Sequence, residues 1–64
     1  MARTYEQEKA YHARRAQALA SEMEAALDAG DADRFMAAYE TSFRYLKKKQ
    51  RVLFYIRFLE RSKL

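Results

Sequence analysis

Leu27-Asp28-Ala29-Gly30-Asp31-Ala32-Asp33 divides the chain near its midpoint and decides how it folds. Gly30 is the only glycine among the 64 residues, and proline is absent. A lone glycine between two long stretches free of breakers suits the left-handed residue that ends one helix. Asp31 can then accept from the first backbone N–H groups of the next helix, and Asp33 adds negative charge at its positive end. Upstream, Thr4 with Gln7 three residues later forms a capping box, so the first helix is predicted over about residues 4–29. The turn at 30–31 is short enough to force antiparallel neighbours, and a second helix is predicted over about 32–62. The fold class is all-α: a single domain over 1–64, an antiparallel two-helix hairpin that dimerises into a four-helix bundle.

At about 100° per residue, Tyr5, His12, Ala13, Ala16, Leu19, Ala20, Met23, Ala26 and Leu27 share one face of helix 1. The face is rich in alanine and brings backbones close while offering little apolar area. The second half supplies the bulk, in two separate stripes: Phe35, Tyr39, Phe43, Leu46 and Leu53, then Tyr45, Val52, Ile56 and Leu59, the latter flanked by Lys49 and Lys63. One apolar face is normal for a helix in water. The second implies a partner, and Tyr45, Val52, Tyr55, Ile56, Phe58 and Leu59 are the candidate oligomer or partner interface. Folding the hairpin about Gly30 sets Leu19 against Phe43 and His12 against Gln50, with Arg57–Leu64 extending past Thr4 without cover.

Size and composition favour the same conclusion. Near 64 residues one core supplies only about 3–5 kcal/mol, and disulfides, metals or oligomerisation are the usual supplements. There is no cysteine and one histidine, which leaves oligomerisation. The start of the chain is polar and charged, unlike a secretory signal, and no uncharged apolar run is longer than that at Val52–Ile56, far short of the roughly 20 residues that span a bilayer. A cytoplasmic location is expected, and a membrane surface is not the expected partner.

Charge is divided unevenly. Residues 1–32 hold four Lys/Arg against six Asp/Glu, residues 33–64 nine against three, within a net charge of +4. On a continuous helix Arg44, Lys47, Lys48 and Arg51 fall at i, i+3, i+4 and i+7, a strip that could follow phosphates while Tyr55 and Phe58 stack on bases. A solvated face accounts for the same lysines, and it carries more weight. His12 with Gln50 could form a polar layer that fixes register. No nucleophile, orienting carboxylate, metal-ligand spacing or cofactor motif accompanies them, so no catalytic, cofactor or metal residue is assigned and the chain reads as a non-enzyme. The five tyrosines are read as packing residues.

The layout of helix, tight acidic turn and helix carried by residues 27–33 resembles that of the Rop-like plasmid copy-number regulators. That resemblance implies a four-helix dimer able to bind paired RNA loops, with no motif on which to transfer individual residues. The turn followed by Phe35, Ala38 and Tyr39 also looks like the small-residue pattern within tetratricopeptide repeats, although this chain holds one hairpin. The expected function is a small non-catalytic helical interaction module: a protein-binding adaptor, regulator or inhibitor acting as a homo-oligomer with a protein partner. The alternative is a small basic nucleic-acid-binding regulator.

Overall fold

The computed structural model describes residues 4–62, and all of the secondary structure is helical: α1 (Tyr5–Ala29), α2 (Ala32–Ser42) and α3 (Lys48–Ser62). At the start of α1, the Gln7 N–H donates to the Thr4 hydroxyl at 3.2 Å and the Thr4 N–H to Gln7 Oε1 at 3.0 Å, the reciprocal pair that the spacing predicts. At its end Gly30 takes a left-handed φ of 69°. The Gly30 N–H reaches the Leu27 carbonyl and the Asp31 N–H the Ala26 carbonyl, a Schellman closure. Asp31 Oδ1 accepts from the Arg34 N–H at 3.0 Å and opens α2.

Leu19, Met23, Ala26 and Leu27 of α1 are buried against Phe35 and Ala38 of α2, and Leu46 joins them from the loop beyond. Met23 and Phe35 lie at its centre with no exposed surface. Large side chains from the second half thus fill the space over the small residues of α1.

The predicted single helix over 32–62 is replaced by two helices with a bend at residues 43–47. Thr41 and Ser42 begin it. The Thr41 hydroxyl donates to the Ala37 carbonyl and the Ser42 hydroxyl to the Tyr39 carbonyl, side-chain bonds that compete with the helical ladder. The N–H groups of Phe43, Arg44 and Tyr45 then bond three residues back, which tightens the chain and swings Leu46 into the core. The Lys47 N–H donates to Gln50 Oε1 and the Arg51 N–H to the Lys47 carbonyl, which starts α3. Among the described residues none besides Gly30 has a positive φ, so this reversal leaves no glycine or proline signature.

After the bend α3 runs back along the pair towards the Gly30 turn. Phe58 stacks on Phe35 with ring centroids 4.5 Å apart and planes 3° from parallel. Arg57 Nη1 lies 3.4 Å from Glu24 Oε1 on α1. The expected overhang of residues 57–62 past Thr4 is therefore absent, because Arg57 sits beside Glu24; Lys63 and Leu64 lie outside the described residues. The uncovered end belongs to α1 instead, where residues 4–10 are all exposed and Tyr5 is 80% exposed.

Candidate interaction surface

The bend restarts the helical phase, so the faces of α3 differ from those of an unbroken helix. Phe54 and Phe58 pack on the core, and Tyr55 lies beside Tyr39 at 5.3 Å. On the opposite side Val52, Leu53, Ile56 and Leu59 are 42%, 54%, 45% and 43% exposed. By helical geometry they fall within an arc of about 120°, which also contains Lys49 and Glu60.

Of the expected interface residues, Val52, Ile56 and Leu59 lie together on this exposed face. Three others do not. Tyr45 stands in the bend, half-buried against α1, 5.1 Å from the His12 ring and 6.3 Å from that of Tyr11, with the Arg15 guanidinium over it at 5.4 Å. Phe58 is spent on Phe35, and Tyr55, itself 36% exposed, stands at the edge of the face against Tyr39 and Phe58. Leu53, read from the sequence as a core residue, belongs to the exposed face, and Phe54, placed on neither stripe, is half-buried. The 3–4 spacing of Val52, Ile56 and Leu59 was the usable signal. The bend shifted the phase of everything counted across it.

The basic strip is likewise divided by the bend. Arg44 and Lys47 are exposed loop residues and Lys48 begins α3. Arg51 is half-buried: its guanidinium lies 4.0 Å from the centroid of the Phe43 ring and its Nε donates to the Leu46 carbonyl. It clasps the bend. The His12–Gln50 layer is not formed, since Gln50 caps α3 and His12 is exposed, against Tyr45 and 4.0 Å from Glu8 Oε2.

Among the described residues two ion pairs tie the helices together, Glu22–Arg34 between α1 and α2 and Glu24–Arg57 between α1 and α3. The hydrogen bond from Arg34 holds the Glu22 carboxyl below the usual carboxylate range, and the same bond raises Arg34. The end of the bundle contains a cavity of about 180 Å³ floored by Leu27, Phe35 and Phe58, with Asp31 and Arg61 at its mouth. Among the described residues no group of three His, Cys, Asp or Glu side chains could hold a metal ion, and no helix is long and apolar enough to cross a membrane.

Comparison with known proteins adds nothing to this surface. No protein-family model matches the chain, and no similar curated protein or solved structure is found. The surface must be read from its own chemistry.

Proposed function

We propose that this protein is a small non-catalytic helical interaction module, a protein-binding adaptor, regulator or inhibitor acting as a homo-oligomer through the outer face of α3. The observation that carries this reading is the contiguous exposure of Val52, Leu53, Ile56 and Leu59 on one helix. Surface area supports it. The chain exposes 5166 Å², whereas a compact protein of 7.6 kDa exposes about 4300 Å². The excess of about 870 Å² is of the order of the roughly 800 Å² that each partner contributes to a standard interface, and the uncovered start of α1 shares in it. A dimer joined along α3 would contain two sets of three helices, in place of the four-helix bundle expected from an unbroken second helix.

The test is capture from host lysate with and without nuclease, comparing wild type with Val52→Glu/Ile56→Glu. Proteins retained after nuclease and lost with the double variant support the reading. Capture that nuclease abolishes transfers the function to Arg44, Lys47 and Lys48, the exposed cations around the bend. In that case a gel shift would show affinity falling steeply with salt, each Lys/Arg→Ala change flattening the slope by about one ion. The dispersal of these cations and the engagement of Arg51 by Phe43 and Leu46 favour the protein-binding reading, for which no submicromolar nucleic-acid binding is expected at about 150 mM salt.

A further inference from the structure

The charges on the outer face of α3 are arranged to match a reversed copy of themselves. Lys49, within the arc of this face, and Lys48 on its border stand at the N-terminal end of α3 and Glu60 near its C-terminal end, with Val52, Leu53, Ile56 and Leu59 between them. All three charged side chains are exposed and none makes an ion pair among the described residues. Their placement is unfavourable within one chain. The first turn of α3 has no acidic residue, so its lysines sit at the positive end of the helix dipole without compensation.

From this pattern we infer that the occupant of the α3 face is a second copy of the same chain, packed antiparallel about a two-fold axis. The inference rests on the interaction-module reading and specifies its partner. Setting Lys49 level with Glu60 of the second copy brings Leu53 level with Ile56 of that copy, and the symmetry repeats both pairs at the other end; Lys48 and Arg61, which this register also sets level, lie off the contact arc. Each Glu60 then lies beside the lysines and dipole of the other α3, supplying the acidic group its first turn lacks. A parallel pairing would instead set lysine on lysine and glutamate on glutamate. Fifteen residues of helix give a contact only about 22 Å long, at the small end of protein interfaces.

Analytical ultracentrifugation over roughly 1 µM to 1 mM tests the pairing, with helicity by circular dichroism as the control for folding. The wild type is expected in monomer–dimer equilibrium. Glu60→Lys, and separately Lys48→Glu/Lys49→Glu, should each weaken it by about tenfold, because like charges then meet at both ends. The triple reversal, Lys48→Glu/Lys49→Glu/Glu60→Lys, should return the dissociation constant to within about threefold of wild type, whereas in a parallel dimer, where like charges already meet, neither single reversal would weaken the association. These substitutions lie on the exposed face and leave the three-helix core untouched. A wild type monomeric at about 1 mM, single reversals without effect, or a triple reversal that fails to restore dimers would each overturn the self-pairing. A monomeric wild type that still loses its nuclease-resistant captures in Val52→Glu/Ile56→Glu would sink the second-copy assignment and the homo-oligomer part of the proposed function, leaving the interaction-module reading with a foreign protein on the face.

Discussion

Phe58 of α3 stacks on Phe35 of α2 at 4.5 Å, and Phe35 is wholly buried while Phe58 is partly buried and lines the cavity beneath the Gly30 turn. This ring pair is the principal apolar clamp holding the returning helix, supported by Glu24–Arg57 and by Tyr55 on Tyr39.

Phe58→Ala should therefore release α3 before it disturbs α1 and α2. A partly buried phenylalanine truncated to alanine costs about 2–3 kcal/mol, below the roughly 3–5 kcal/mol of a fully buried ring. Hydrogen exchange is the measurement: amides of α3 should lose protection while those around Met23 retain it. Equal loss in all three helices would mean that the molecule opens as one unit.

Lys48→Pro distinguishes the bent chain from a continuous second helix. Lys48 is the first residue of α3, where the backbone N–H has no intrahelical acceptor and proline is favoured. The substitution should shift Tm by no more than about 5 °C. In an unbroken helix it would cost about 3 kcal/mol, by deleting a bond and crowding the carbonyl four residues back.

Gly30→Val should destabilise the hairpin by about 1–2 kcal/mol, the strain of a side chain in the left-handed region. An added Cβ would meet nothing within 4 Å, so the cost lies in the backbone alone. Gly30→Asn, which tolerates that conformation better, should lose less, and thermal melts of the two variants would check the order.

Acid should weaken the α1–α2 contact through Glu22. Its carboxyl is held below the ordinary value of 4.5 in the folded chain by Arg34, so the stabilisation is present above that value and is lost as pH falls through the lowered one. Glu22→Gln removes this dependence. Its Tm should fall less than that of wild type between neutral pH and about pH 3. Parallel acid melts of the two proteins would deny the pair any role.

What the sequence determined by itself was local. Thr4 with Gln7, Gly30 and Asp31 are signals whose hydrogen bonds close within a few residues, so their spacing specifies the ends of α1 and the start of α2. The alanine-rich face of α1 and the excess apolar surface of the second half were legible for the same reason. The bend at 43–47 was decided by tertiary structure: no glycine or proline marks it, and the helical spacing of Phe35, Tyr39, Phe43 and Leu46 runs across it without interruption. Thr41, Ser42 and Gln50 supply the local bonds that permit the break. Burial of Leu46, stacking of Arg51 on Phe43 and closure of Phe58 on Phe35 make it favourable. Those contacts join residues up to 23 positions apart along the chain, and they set which side of α3 faces water. A helical wheel carried through the bend therefore kept Val52, Ile56 and Leu59 together but misplaced Tyr45, Leu53 and Phe58, because a fixed rotation per residue holds only while the backbone ladder is continuous.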